Sequence, residues 1–220
     1  MSLILNIDTA TEISSVCLAE NDKPLSIYIN PTQKDSASWL HSAINELIKK
    51  ENRHLKELSA VAVTKGPGSY TGLRVGMATA KGLCFSLRKP LITVNTLYLM
   101  AFAAKKMYNQ LLCPMIDARR MEVFAAVFDY DLNPKLGPTN LILSEHSFKY
   151  FLDQQNIVFF GNGSIKFQSI MKHPHALFAN IEVNASSMSP LSFQMMLSKD
   201  FADLAYTQPF YGKDFHSLSN

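Results

Sequence analysis

The stretch Gly66-Pro67-Gly68-Ser69-Tyr70-Thr71-Gly72 decides the fold class of this 220-residue chain. The apolar run 60–63 before it predicts a buried strand, and residues 73–87 after it carry apolar side chains at helical spacing. Three glycines and a proline between the two predict a tight loop, with Ser69 or Thr71 as the N-cap of the helix. A strand that leads through a short loop into a helix predicts an α/β protein.

Two interpretations of this loop are open. Because backbone N–H groups at a helix N-terminus bind anions, Gly66, Gly68 and Ser69 are candidate nucleotide-binding residues. The loop has neither the Gly-Lys-Ser/Thr ending of a Walker loop nor the glycine spacing of a dinucleotide-binding fingerprint. The alternative is a structural turn that starts the helix, and the pattern favours this alternative.

Strands and helices alternate on both sides of the loop. Short apolar runs predict the strands, and apolar residues at spacings of three and four predict the helices. The first helix begins at Asp35 or Ser36, since either residue is a competent N-cap. The predicted elements of the first half are strands at 3–7, 13–19, 25–29, 60–63 and 91–94 and helices at 36–50, 73–87 and 96–107.

The second half of the chain repeats its opening. Ile116-Asp117 matches Ile7-Asp8, and a third strand at 140–144, a helix at 145–153 and a strand at 157–160 follow in the same order. A repeat of this length predicts a duplicated α/β domain. We therefore expect an N-terminal lobe at 1–109 and a truncated C-terminal lobe at 110–220.

The first turn of the chain is a second candidate site. Asp8, Thr9 and Thr11 place a carboxylate and two hydroxyls between two predicted strands, and such groups can organise a metal-bound water and phosphate. Asp and Thr are also common turn formers, so a purely structural turn is the alternative. Ala10 stands where a phosphate-binding turn needs glycine, and its methyl group would crowd a phosphate.

A row of small residues marks one face of the second helix. Gly72, Gly76 and Ala80 are four residues apart and predict a ridge that another element approaches closely. Each glycine costs the helix about 1 kcal/mol relative to alanine, so close packing must offset that cost. The packing element is either another chain or another part of this one.

Composition and charge exclude several classes of protein. Hydrophobic residues make up 47% and charged residues 18%, as in a globular domain, and we expect neither a signal sequence nor a membrane span. Cys17, Cys84 and Cys113 lie far apart in apolar stretches, which predicts free thiols in the cytoplasm. The six histidines offer no spacing that suits a metal site. A net charge of +3 without a basic cluster argues against direct nucleic-acid binding.

Four motifs together resemble one known family. They are Ile7-Asp8-Thr9-Ala10-Thr11, Gly66 through Gly76, Ile116-Asp117-Ala118-Arg119 with Glu122-Val123-Phe124, and Pro209-Phe210-Tyr211. In this order, over nearly the whole chain, they resemble the bacterial TsaB (YeaZ) family of tRNA threonylcarbamoyladenosine biosynthesis proteins. The resemblance implies an actin-like (ASKHA, ribonuclease H-like) α/β fold with two duplicated lobes, each a mixed β-sheet flanked by helices.

The resemblance also implies a function and partners. Family members are non-catalytic subunits that bind TsaD, which transfers threonylcarbamoyl to the adenosine beside the anticodon of tRNAs reading codons that begin with A. We therefore expect a heterodimer with TsaD, an association with TsaE, a homodimer when TsaD is missing, and only an indirect relation to tRNA. The resemblance implies that no cofactor is required and that ATP or ADP binds weakly or at the TsaD interface.

The family's partner surface lies on the first two helices of the N-terminal lobe, here 36–50 and 72–87. Where TsaD carries a His-x-x-x-His metal pair, this chain has Ser36 and Leu40, so neither a metal nor a catalytic residue is expected. The family's frequent Pro-x-Tyr-Leu-Arg ending is altered, because Gly212 and Lys213 follow Tyr211. The predicted partner-binding residues are Trp39, Ala43, Leu47, Gly72, Leu73, Gly76, Met77, Ala80 and Leu83.

Two other functions are open alternatives. One is an active hydrolase of the peptidase kind on the actin-like superfold, against which the missing histidine pair and Ala10 both count. The other is a nucleotide-binding regulator, in which Asp8, Thr11 and the loop 66–72 would bind ATP or ADP.

Overall fold

The computed structural model of the chain describes residues 1–31 and 36–212, except for the side chains of residues 36 and 37. These residues form two compact units. The first contains Met1–Leu99 and Glu182–Pro209, and the second contains Met100–Ile181 and residues 210–212. This division corrects the predicted boundary at 109/110, because the chain leaves the first unit after Leu99 and returns to it at Glu182.

Ten strands and six α-helices occur within the described ranges. Two 3₁₀ turns, Leu55–Glu57 and Ala185–Met188, precede β4 and α6. The elements are, in chain order, β1 (Leu3–Asp8), β2 (Ser14–Glu20), β3 (Lys23–Asn30), α1 (Ser36–Lys50), β4 (Ala60–Gly66), α2 (Tyr70–Leu87), β5 (Leu91–Asn95), α3 (Thr96–Ala104), β6 (Leu111–Asp117), β7 (Glu122–Phe128), β8 (Pro134–Ile142), α4 (Lys149–Leu152), β9 (Ile157–Phe160), α5 (Ser164–Gln168), β10 (Ala176–Ala179) and α6 (Ser189–Ser198).

The first unit is built on a mixed sheet with the strand order β3-β2-β1-β4-β5. Strands β1, β2 and β3 form an antiparallel meander, whereas β4 and β5 run parallel to β1. Side chains alternate between the two faces of β1, so Leu5 and Ile7 join the core formed with α1 and α2. Asn6 and Asp8 point to the opposite face, which α6 and the 3₁₀ turn before it cover.

The second unit repeats this topology. Its sheet has the order β10-β9-β6-β7-β8, in which β6, β7 and β8 are antiparallel and β9 and β10 run parallel to β6. The five strands therefore occupy the same relative places as those of the first unit, which confirms the predicted duplication. Phe148, Phe159 and Phe167 pack edge to face at its centre, with ring centroids 4.9 to 5.5 Å apart.

Several predicted elements are confirmed and others are corrected. Helix α1 has the predicted bounds, although a capping role of Asp35 lies outside the described residues. The predicted helix 145–153 shrinks to the single turn α4, and the strand predicted at 140–144 is β8, ending at Ile142. The structure adds α6, which packs against the first sheet and so returns the chain to the first unit.

The length and hydropathy of the described helices were compared with those of membrane-spanning helices. In residues 1–31 and 36–212, no helix combines the length and the apolar character needed to cross a membrane.

Candidate functional site

The turn after β1 buries a carboxylate. Asp8 is only 3% exposed, and its Oδ1 accepts hydrogen bonds from the backbone N–H of Ala10 (3.1 Å) and from the hydroxyl of Thr64 (2.9 Å). Burial raises the pKa of Asp8, while the hydrogen bonds from Ala10 and Thr64 act in the opposite direction. The carboxylate is thus held in place by the protein's own donors.

The glycine-rich loop packs directly on this turn. The backbone N–H of Ser69 donates to the carbonyl oxygen of Ala10 at 2.7 Å. A Cβ atom at Gly68, whose φ is +156°, would lie 2.1 Å from that same oxygen. A Cβ atom at Gly72 would lie 2.1 Å from the carbonyl oxygen of Thr9. Glycine is needed at both positions because the backbones of loop and turn are in contact.

The predicted nucleotide-binding residues are therefore brought together, but many of their polar groups have partners inside the first unit. The Ser69 hydroxyl accepts from the backbone N–H of Gly72 (3.3 Å) and is the N-cap of α2, which settles the choice between Ser69 and Thr71. The Thr11 hydroxyl donates to the carbonyl oxygen of Ile13 at 3.3 Å. Thr9 Oγ1 is buried without a hydrogen-bond partner, and Gly66, with φ +108°, ends β4 beside these residues.

The ridge of small residues on α2 faces the interior. A Cβ atom at Gly76 would lie 2.2 Å from Thr9 Oγ1, and Ala80 is fully buried in the core of the first unit. Gly72, Gly76 and Ala80 therefore pack within their own unit, and their contact with another chain stays a prediction. The close neighbour that accounts for both glycines is the turn after β1 in the same unit.

The other predicted partner-binding residues are also buried or partly buried, and their contact with another chain stays a prediction. Trp39 and Leu83 are partly buried and pack against the core of the first unit. Ala43, Leu47 and Met77 are buried members of that core, and Leu73 is also fully buried.

The opposite face of α2 is exposed, and the sequence analysis missed it. Phe85 is 79% exposed, and the guanidinium of Arg74 lies 3.9 Å from the ring centroid of Tyr70. A Cβ atom at Gly82 would have no neighbour within 4 Å, so nothing in the described structure explains that glycine. The signal was present in the spacing of the exposed residues Thr71, Arg74, Ala78, Gly82 and Phe85.

Metal-binding side chains do not gather in the part of the chain that the structure describes. Within it, no group of three His, Cys, Asp or Glu residues is placed to hold an ion. Leu40 is fully buried in the core, and the side chain of Ser36 lies outside the described residues. Burial raises the pKa of Cys17 and of Cys84 to about 11, which makes both thiols weak nucleophiles.

Comparison with known proteins gives a consistent set of similarities. Residues 29–208 match the family model described as "TsaD: tRNA N6-adenosine threonylcarbamoyltransferase". The chain is 34% identical to the tRNA threonylcarbamoyladenosine biosynthesis protein TsaB of Bacillus subtilis (58% of this chain, 55% of that protein) and 34% identical to TsaB of Escherichia coli (59% and 56%). It thus spans about half the length of these curated relatives.

A solved structure supports the fold. A Pseudomonas aeruginosa protein described as similar to the peptidase YeaZ superposes with a TM-score of 0.83 over 97% of this chain and 100% of that one, at 21% identity. With the two mixed, helix-flanked sheets, this similarity confirms the actin-like fold with duplicated lobes.

Proposed function

Because the chain belongs to the family described as TsaD, tRNA N6-adenosine threonylcarbamoyltransferase, we propose that it serves threonylcarbamoyl transfer to adenosine in tRNA. Its curated relatives named TsaB are tRNA threonylcarbamoyladenosine biosynthesis proteins, and the motifs at 7–11 and 66–76 resemble theirs. In this proposal the chain is a non-catalytic subunit that binds the transferase TsaD in the cytoplasm and thereby activates it.

One observation carries the non-catalytic role: the glycine-rich loop and the Asp8 turn are in backbone contact. In a phosphate site of the actin-like kind, these two segments approach the phosphate with backbone donors. Here Ser69 donates to Ala10, and Cβ atoms at Gly68 and Gly72 would collide with the turn. Both segments therefore contribute to packing of the first unit, and the chain needs no cofactor for its own role.

The outer face of α2 is the partner surface that the geometry favours. Glycine within an exposed helix costs about 1 kcal/mol relative to alanine, and no described residue lies close enough to Gly82 to explain that cost. Ala78 lies one turn earlier on the same face, and Phe85 supplies an exposed aromatic ring of the kind that anchors interfaces. A helix of TsaD could approach closely along Ala78 and Gly82.

The decisive test introduces Ala78→Arg at the centre of this face. A long charged side chain there is expected to abolish co-elution with TsaD in size-exclusion chromatography and to lower threonylcarbamoyl transfer to a tRNA transcript at least about tenfold. Gln194→Arg, on the exposed side of α6 in the same unit, is the matched control.

The two variants must unfold at the same temperature as the parent, so that a loss of binding is not a loss of fold. If Ala78→Arg still forms a complex with TsaD and supports full transfer, the outer face of α2 is not the partner surface. If the parent chain itself neither binds TsaD nor stimulates transfer, the proposed function is wrong.

The same proposal includes an association with TsaE and a homodimer through α2 when TsaD is missing, with ATP or ADP bound at the TsaD interface. Calorimetry with ATP and magnesium, on the chain alone and on its complex with TsaD, tests the nucleotide part. Tight binding and turnover by the isolated chain would contradict a non-catalytic subunit and would favour the hydrolase or the nucleotide-binding regulator.

A further inference from the structure

The turn between β6 and β7 in the second unit exposes two uncompensated cations. It contains Arg119 and Arg120, whose side chains are both exposed. Among the described residues, neither guanidinium makes a hydrogen bond or an ion pair. The two positive charges therefore face solvent side by side.

The backbone of this turn is held from three directions. Asp117 Oδ1 accepts from the backbone N–H of Arg119 (2.5 Å) and from Lys166 Nζ (2.9 Å). Lys166 Nζ also donates to the carbonyl oxygen of Arg120 (2.8 Å), and Asn162 Oδ1 accepts from the backbone N–H of Asp117 (2.9 Å). Asp117 thus neutralises Lys166, while the two arginines project from a fixed support.

The backbone of both arginines is left-handed. Their φ angles are +67° for Arg119 and +51° for Arg120. Residues with a Cβ atom adopt this conformation at a cost, whereas glycine and asparagine adopt it readily. A turn that only reversed the chain would be more stable with Asn or Gly at these positions. The stability of the turn therefore does not by itself account for arginine at both positions.

We propose that Arg119 and Arg120 bind the sugar-phosphate backbone of RNA, an inference that rests on the proposed function in tRNA modification. A guanidinium presents a planar fork of donors that matches two oxygens of one phosphate. Two adjacent guanidinium groups on one rigid turn can each bind one of two successive phosphates in an RNA strand. The contact would orient the RNA without reading its bases. It also replaces the expectation of a purely indirect relation to tRNA.

The test uses the double variant Arg119→Asn/Arg120→Gly in complex with TsaD. This variant removes both charges and also relieves the left-handed backbone, so the chain is expected to remain folded. Lys106→Ala/Lys172→Ala is the matched control, because it removes two exposed cations from the same unit. Binding of a fluorescent, unmodified tRNA transcript is measured by anisotropy over a series of salt concentrations.

We expect the arginine variant to bind tRNA about tenfold more weakly, with a dependence of log K on log salt that is shallower by about 1–2. The lysine control should change the affinity by less than about twofold. An unchanged affinity and salt slope in the arginine variant overturns the proposal. Loss of TsaD binding with tRNA binding intact also overturns it, because the turn would then contact protein.

Co-elution of the parent chain with TsaD is measured separately and tests the proposed function. If that complex does not form, the same tRNA titration on the isolated parent and variant chains still tests the arginines. A weaker, shallower titration for the variant chain then supports the RNA contact, and identical titrations reject it.

Discussion

In the first unit the last residue of β1, Asp8, is buried, whereas in the second unit its counterpart at the end of β6, Asp117, is exposed. Asp8 is 3% exposed and is bonded by Ala10 and Thr64. The side chain of Asp117 is 40% exposed and pairs with Lys166. The two units share one topology but differ at the end of the first strand: the aspartate is packed inside the first unit and lies at the surface of the second.

The loops that follow the fourth strand of each unit explain part of this difference. Both pack on the end of the first strand or its turn: a Cβ atom at Gly161 would lie 2.4 Å from the carbonyl oxygen of Met115, as one at Gly68 would lie 2.1 Å from that of Ala10. The helices that follow differ, since α2 has 18 residues and α5 has five. Of these two helices only the longer one offers an extended outer face, and the proposed partner surface lies there.

The largest expected effect breaks the contact between loop and turn. Gly72→Ala places a Cβ atom against the carbonyl oxygen of Thr9 and is expected to lower the free energy of unfolding by about 2–3 kcal/mol. Gly82→Ala on the outer face is the control, and it should raise the same quantity by about 0.5–1 kcal/mol. Urea denaturation of the two variants measures both values. Equal effects of the two substitutions would contradict the inward orientation of the ridge.

A second pair of substitutions tests which atom packs against Gly76 in the small-residue ridge. Gly76→Ala directs a Cβ atom at Thr9 Oγ1 and should cost about 1–3 kcal/mol, while the same change in a Thr9→Ala background should cost nearly nothing. The double-mutant cycle in urea gives the coupling energy between the two positions. A coupling close to zero would mean that Gly76 is required for some other reason.

The buried carboxylate is probed by Asp8→Asn. Because burial raises the pKa of Asp8, its ionised form is less favourable in the folded chain than in the unfolded one. At pH values above the folded-state pKa of Asp8, we expect the variant to have a higher free energy of unfolding than the parent. This gain should be smaller than the loss caused by Gly72→Ala. This gain should shrink as the pH falls towards the unfolded value near 3.8.

Thermal unfolding over a range of pH measures the gain, and tRNA threonylcarbamoylation in the presence of TsaD measures function. The variant should retain full transfer if Asp8 is structural. Loss of transfer by a well-folded Asp8→Asn chain would assign the carboxylate a chemical role and would contradict the non-catalytic proposal.

The smallest expected effect concerns the exposed counterpart. Asp117→Asn removes the ion pair with Lys166 but keeps an oxygen that accepts from the backbone N–H of Arg119. Since the pair is partly exposed, its loss should cost no more than about 1 kcal/mol. That cost should diminish at high salt. If Asp117→Asn lowered the free energy of unfolding as much as Gly72→Ala, the turn after β6 would contribute as much to stability as the turn after β1.

Much of the fold could be predicted because its signals are local. Apolar periodicity predicted α1 with its observed bounds, and the repeated Ile-Asp pattern at 7–8 and 116–117 predicted the duplication. The return of the chain to the first unit could not be predicted, because α6 (Ser189–Ser198) packs on a sheet formed within residues 3–95. Its own apolar pattern does not say which sheet it covers.

The candidate site shows the same limit. Glycine and hydroxyl spacing was enough to find the loop at 66–72, two candidates for its N-cap and the turn at Asp8, since each is a property of neighbouring residues. The role of the small-residue ridge depends on which segment packs against it. A glycine on a helix allows close packing by any segment, so the sequence did not identify that segment. Folding places Thr9 against Gly76, while no described residue lies within 4 Å of a Cβ atom at Gly82. Three-dimensional packing therefore decided which side of α2 belongs to the core and which side is exposed.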